Sequence, residues 1–391
     1  MSHHTQTILL YHSDPQVIDG IYALCDEAEL PVRIIPVFKA DEALEHLSSH
    51  HYSVVISQLT STTDPGFKAL VDQQYPRSVI ALAPEVFAAD LMLWALRRGA
   101  ADLFCQDFLH DRSEADALVS SLKSHLERAR LIDENQQYRE ELELSLAELK
   151  ADQKAALHIQ KKMLPPPDLD IVGGISVRYV LTPSLYLSGD FVDVVMLNSR
   201  FAMFYLADVS GHGASSALVT VLLKNMANRL VRNFRRGSSF DILSPAATLH
   251  RVNQELLDTG LGKHLTMFIG LLDMESDKLR YAVGGHHPMP LLSSIDGTHY
   301  LKGRGMPVGL FEHPSFDEHE VLLPKEFRLS LFSDGILEMI ERDSLAEKEQ
   351  YICEVIDQLR SDDPEAVKSA LIGEHMAVAP DDIAVMVLAR Q

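Results

Sequence analysis

The sequence predicts a multidomain α/β protein: a doubly wound (βα)5 domain, a long coiled-coil helix and an α+β sandwich, divided as 1–112, 113–164 and 165–391. Three observations predict it. Residues 6–110 alternate short apolar runs with amphipathic stretches five times. Residues 114–164 contain neither glycine nor proline. Residues 168–391 return to apolar, strand-like runs, broken by two helical regions after the third run. A chain of 391 residues is long enough for two or three separate cores.

In the first domain Thr7–Tyr11, Val32–Val37, Ser53–Leu59, Ser78–Ala83 and Asp102–Cys105 read as strands. Gln16–Glu29 and Ala40–Ser48 are two of the helices expected between them. Five such repeats imply a parallel sheet with helices on both faces.

The next segment is rich in Leu, Glu, Lys, Ala and Gln. Val119, Leu122, Leu126 and Ala129 follow a 3-4-3 spacing. Leu142, Leu146, Leu149, Ala156 and Met163 lie on a similar stripe, with Gln153 and Gln160 filling two of its places. The register slips between the blocks. The pattern predicts a two-stranded seam with a stutter, and so a homodimer. About 50 residues at the helical rise would reach roughly 75 Å. The alternative is a surface helix packed on its own domain. Pro165-Pro166-Pro167 ends the helix.

In the third domain Ile175–Leu181, Phe191–Leu197, Phe201–Ala207, Met267–Asp273, Lys278–Val283, Met289–Leu292, Phe327–Phe332 and Ile383–Leu388 read as strands. Ala214–Phe234 and Ser244–Thr259 read as helices. Four acidic motifs fall at the ends of apolar runs. They are Ser188-Gly189-Asp190-Phe191-Val192-Asp193, Ala207-Asp208-Val209-Ser210-Gly211-His212-Gly213, Ser333-Asp334-Gly335 and Asp381-Asp382-Ile383. Carboxylates collected in this way hold hard cations such as Mg2+ or Mn2+. A single Asp-Gly is equally a turn signal, so the weight rests on the four together. Asp190 and Asp193 cannot both point inward from a regular strand, and Asp190 is expected to face the metal. A carbonyl near Val209 can add an oxygen, in a turn that Gly211 and Gly213 permit. His212, His286, His287, Ser210 and Ser333 are expected to shape turns or pack.

The order of these motifs resembles the sporulation-type bacterial branch of the PPM family, the metal-dependent serine/threonine phosphatases. Thr266-Met267-Phe268, Gly284-Gly285-His286-His287-Pro288, Gly305-Met306-Pro307-Val308-Gly309 and the entry segment Ile159-Gln160-Lys161-Lys162-Met163-Leu164-Pro165 strengthen the likeness, which covers roughly residues 155–391. The resemblance implies a β-sandwich flanked by helices and a dinuclear Mn2+ or Mg2+ centre. Asp208 would bridge both ions, Asp190 and the Val209 carbonyl would serve one, and Asp334 and Asp381 the other. Asp190 and Asp208 are then the catalytic candidates, and Asp382 a weaker ligand. The reaction implied is hydrolysis of phosphoserine or phosphothreonine by activated water, with no nucleophilic Ser or Cys. Relatives often act on anti-sigma-factor antagonists of STAS type in partner-switching cascades, so that phosphoprotein is the implied substrate.

The first domain resembles a response-regulator receiver, with Gly99-Ala100-Ala101-Asp102-Leu103 near its last strand. Its chemistry is missing. Gln58 stands for the phospho-acceptor aspartate, Ala83 for the hydroxyl residue and Gln106 for the lysine; His12 and Ser13 replace the acidic pair and leave Asp14. An amide cannot form an acyl phosphate. The expectation is a pseudo-receiver that binds or dimerises; the alternative is a shifted register in which Asp14 or Asp64 takes the phosphate.

Composition excludes several classes. A net charge of −21 argues against nucleic acid and anionic membranes as partners. Three scattered cysteines, Cys25, Cys105 and Cys353, argue against a disulfide framework and suit a reducing cytoplasm. No run suggests a signal peptide or a membrane span. Two functions remain: a regulated serine phosphatase, and a catalytically silent adaptor that binds a sigma-factor or anti-sigma partner.

Overall fold

The computed structural model describes residues 5–61, 64–84, 89–211, 213–373 and 379–391. They form two compact units that divide between Ala147 and Glu148.

The first unit is built from β1 (Gln6–Tyr11), α1 (Pro15–Glu27), β2 (Val32–Val37), α2 (Ala40–Ser49), β3 (Val54–Gln58), α3 (Pro65–Gln74), β4 (Ser78–Ala83), α4 (Ala89–Arg97), β5 (Asp102–Cys105) and the start of α5 (Arg112–Met163). Its strands are parallel in the order β2-β1-β3-β4-β5. Alternate residues of one strand feed two cores. Ile8, Leu10, Ile56, Ile80 and Leu82 pack on the α1 and α5 side, whereas Leu9, Val55, Val79 and Ala81 meet Phe67, Leu70, Leu91 and Ala95. Burial on both faces is why these strands read as continuous apolar runs. Asp14 caps α1 by accepting from Gln16 N, and Asp64 caps α3 by accepting from Gly66 N and Phe67 N.

Helix α5 is 52 residues long. Its early turns correct one expectation. Leu122 and Leu126 join Leu118 in the first unit's core, and Ala129 is also buried. Gln6 Nε2 donates to Leu126 O at 2.7 Å, Ser121 Oγ donates to Asp102 at 2.7 Å, and Arg77 pairs with Asp133. The 3-4-3 block at Val119, Leu122, Leu126 and Ala129 is therefore no free seam. The spacing of a packed amphipathic helix and of a coiled coil is the same over so short a run. From Glu134 to Asp152 every residue is exposed, including Leu142, Leu146 and Leu149 at 60%, 45% and 53%.

The second unit holds two antiparallel sheets. One runs β14 (Glu318–Leu322), β11 (Lys278–Gly284), β10 (Leu265–Asp273), β9 (Phe201–Val209), β8 (Asp190–Met196). The other runs β13 (Gly297–Tyr300), β12 (Leu291–Ser294), β15 (Phe327–Phe332), β16 (Ile383–Arg390), β7 (Ile175–Thr182), β6 (Asp168–Ile171). Along β9, Ala202, Phe204 and Leu206 enter the core shared with Leu329, Leu331, Met386 and Leu388. Met203, Tyr205 and Ala207 point the other way, to α6 (Ala214–Arg235) and α7 (Pro245–Thr259). The second sheet's outer face carries α8 (Gly335–Met339), α9 (Leu345–Gln358) and α10 (Pro364–Ile372). The result is a helix–sheet–sheet–helix sandwich.

Candidate metal centre

Asp190 opens β8 and Asp208 lies near the end of β9, and the two are direct partners in the antiparallel register. Cross-strand partners stand about 5 Å apart at their Cβ atoms. Asp334 directly follows Ser333 after β15, and Asp381 precedes β16; these neighbouring strands are joined at their ends by Ser333 N donating to Ala384 O at 3.0 Å. Two hairpin-like strand ends, one from each sheet, thus bring all four aspartates to one end of the sandwich.

The electrostatics show how close they come. Burial drives the Asp190 carboxyl well above the carboxylate range, and Asp208, Asp382 and Asp334 push it further. Burial, then Asp334, Asp381 and Asp382, raise Asp208 to about 7. Asp334 is raised by burial and by Asp381. Side-chain hydrogen bonding between Asp208 and Asp334 adds to the rise at Asp208 and offsets part of it at Asp334. Both carboxylate oxygens of Asp190 are buried and have no hydrogen-bond partner. Ser333 lies near enough to offset part of the rise at Asp190, but its hydroxyl is engaged by Ala384 N at 2.8 Å and by Asp382 O at 3.4 Å.

A partnerless buried carboxylate beside three more fits a cation as the missing partner. The carboxylates approach one another without closing: among the described residues no three His, Cys, Asp or Glu side chains stand as a formed cation cage.

Glycine makes the close approaches possible. A Cβ at Gly189 would lie 2.9 Å from Val209 O, and one at Gly335 would lie 2.1 Å from Asp382 O. Gly211 and Gly213 adopt φ of 74° and 85° in the turn into α6. His212, in that turn, lies outside the described residues.

Two aspartates of the motifs do other work. Asp193 is fully buried on the opposite side of β8, bonded to Lys224 Nζ at 2.7 Å and to Tyr205 OH at 3.2 Å. Asp382 is buried and holds the loop before β8: Oδ1 accepts from Ser184 N at 2.7 Å and Ser184 Oγ at 2.8 Å, and Oδ2 accepts from Gly189 N at 2.6 Å. Sequence reasoning considered Asp382 only as a ligand; its place after Asp381 carries no signal of this role. His286 is buried with neither ring nitrogen bonded, and burial lowers it to about 3. His287 faces Glu349 at 3.4 Å.

At the C-terminal strand ends of the first unit, where open α/β sheets bind ligands, the polar groups bond to one another. Gln58 Oε1 accepts from Ser13 N at 2.7 Å, His12 Nδ1 accepts from Asp14 N at 2.9 Å, and His12 Nε2 meets the Gln106 amide at 2.8 Å. Ala83 is buried at the end of β4. Asp14 and Asp64, the other acidic candidates, are engaged as helix caps.

The sandwich with its acidic strand ends has the architecture expected of the PPM family, the metal-dependent protein phosphatases, and the sequence and structure comparisons agree. Residues 199–391 match the family model described as Stage II sporulation protein E (SpoIIE), so the second unit carries a PPM phosphatase domain of that type. The chain is 26% identical over 255 residues to phosphoserine phosphatase RsbU of Bacillus subtilis (strain 168), spanning 62% of this chain and 71% of RsbU. It is 26% identical over 194 residues to phosphoserine phosphatase RsbP of the same organism, spanning 48% of this chain and 46% of RsbP. Among solved structures the SiaA PP2C domain of Pseudomonas aeruginosa shares the fold, with a TM-score of 0.52 and 18% identity over 63% of this chain and 99% of that domain.

Proposed function

We propose that this protein hydrolyses phosphoserine on a partner protein, with a pair of Mn2+ or Mg2+ ions held by Asp190, Asp208, Asp334, Asp381 and the Val209 carbonyl. The observation that carries this reading is the Asp190 carboxylate, buried without a partner and paired across strands with Asp208. Burial makes this carboxyl hard to ionise on its own, and a divalent counter-charge is what would let it ionise beside Asp208. Bound divalent ions would acidify a water and offset charge on the phosphoryl oxygens. The chain's own residues do the rest. Asp190 and Asp208 anchor the centre from one sheet and Asp334 and Asp381 from the other. Asp193, tied to Lys224, fastens α6 to the strand that carries Asp190. Asp382 keeps the loop before Asp190 in place.

The relatives named as phosphoserine phosphatases support a phosphoserine substrate, and a STAS-type anti-sigma-factor antagonist is the partner that the family resemblance implies. The first unit acts as a pseudo-receiver. With Gln58 at the acceptor position, its input is binding or dimerisation rather than an acyl phosphate. The exposed stretch of α5 pairs with a second copy through Leu142, Leu146 and Leu149. A shift of the helices that follow Gly213 then makes or breaks the centre.

The test is phosphate release from a phosphorylated STAS-domain protein that co-purifies with the chain. Release should need Mn2+ or Mg2+, stop with EDTA, and fall on the order of 100-fold or more in Asp208→Asn. Metal-independent release, or none from any phosphorylated partner, would sink the proposal. A silent adaptor is the second reading, favoured by the carboxylates' failure to close into a cage. Elemental analysis of the purified chain separates the two: an adaptor carries no Mn or Mg.

A further inference from the structure

Gln160 occupies the last turn of α5, on a stripe otherwise fit for apolar residues, and is 5% exposed. Nothing in the proposed chemistry uses it. Its amide is nevertheless fully engaged. Nε2 donates to Ser188 O at 2.7 Å and to Thr220 Oγ1 at 3.2 Å, and Oε1 accepts from Ser188 N at 3.2 Å. The side chain thus binds both backbone groups of Ser188, as a neighbouring strand would.

Ser188 stands two residues before Asp190, and the backbone between them is tied at each step. Gly189 N donates to Asp382 Oδ2 at 2.6 Å, and Gly189 O accepts from Val209 N at 3.3 Å. Asp190 N donates to Ser188 Oγ at 3.1 Å. The Asp190 carboxylate has no hydrogen-bond partner of its own. Its direction is therefore set by the backbone behind it, and that backbone hangs on Gln160 and Asp382.

We infer that Gln160 is a positioning residue for the cation centre: its amide clamps Ser188 so that Asp190 presents its carboxylate toward Asp208. The inference rests on the metal-centre reading above. An amide buried merely to fill space would be matched by a side chain of equal length; a clamp would not. Gln160→Met keeps the length and removes every polar contact.

Two measurements on the full-length chain test this. Amide hydrogen exchange of metal-free protein reads the clamp itself. In Gln160→Met, exchange across residues 184–190 should quicken roughly tenfold, while β10 and β16 stay as in the wild type. Calorimetric Mn2+ titration reads its consequence, and affinity should fall about 10- to 100-fold. Thr220→Val removes the second Nε2 contact and the hydroxyl's own bond to Ala217 O but leaves both bonds to Ser188, and should bind Mn2+ within about twofold of the wild type. If Gln160→Met does not fold, Gln160→Glu keeps the acceptor for Ser188 N, removes both donors and is read the same way. Unchanged exchange overturns the inference. So does faster exchange with unchanged Mn2+ affinity, which would leave Gln160 a purely structural contact. An equal loss in Thr220→Val overturns it as well, since the effect would then run through α6. A wild type that binds no Mn2+ overturns the metal-centre reading, and the positioning role with it; that outcome is distinct because it appears before any substitution.

Discussion

Asp190 shows what one residue can hold in reserve. Its carboxylate is 1% exposed, unpaired, and flanked by Asp208. Without a cation this arrangement works against the fold. Asp190→Asn should therefore stabilise the metal-free chain by about 1–3 kcal/mol while abolishing its Mn2+ response. Thermal denaturation in EDTA and in Mn2+ checks both halves, and a variant less stable in EDTA would contradict the account. His286 gives a pH dependence of definite sign. Its folded value of about 3 lies below the ordinary histidine value near 6.5, so the unfolded chain takes up the proton first. The stability it secures is complete above about 6.5 and is lost as pH falls toward 3, at roughly 1.4 kcal/mol per unit. Urea midpoints at pH 7 and 5.5 should converge for the wild type and His286→Asn as pH falls; parallel lines would show that His286 does not titrate as described.

At the scale of elements, α5 changes character along its length. Leu122 is completely buried in the first unit, and Leu122→Ala should cost about 2–5 kcal/mol of that unit's stability. Leu146 is exposed, so Leu146→Glu should leave the melting temperature of a dilute monomer unchanged and abolish self-association in sedimentation. If Leu146→Glu sediments as the wild type does, the seam is elsewhere. The sequence pattern could not separate these two stretches, because apolar spacing does not say what lies opposite. Strands that form largely apolar runs were legible to the residue: Ser78–Ala83 and Phe327–Phe332, buried almost throughout, and Val32–Val37, at a sheet edge, are observed as read. The edge strand Glu318–Leu322 was not, because its residues alternate between exposed and half-buried and carry little apolar signal. Helix α9 could have been found. Ser344 and Glu347 form a capping box, whose Ser-x-x-Glu spacing is visible in the sequence.

Across the whole molecule, the two units treat their strand ends differently. In the first, Gln58, Ser13, His12 and Gln106 satisfy one another. In the second, aspartates converge at the strand ends, Asp208, Asp382 and Asp334 each raising the Asp190 carboxyl further, and both Asp190 oxygens lack a hydrogen-bond partner. The acidic motifs were legible because Asp at the end of an apolar run breaks the local pattern four times. The supports were not. Gln160 and Asp382 act through backbone contacts with Ser188 and Gly189, 28 and 193 residues away in sequence, and no local spacing announces such a contact. The account's central claim is that the four aspartates form one divalent-cation centre. Isothermal titration of the metal-stripped chain with Mn2+ tests it most directly. The account predicts two ions per wild-type chain and loss of the shared site in Asp208→Asn. Isotherms for the two proteins that superimpose, or a wild type that takes up no Mn2+, would contradict it.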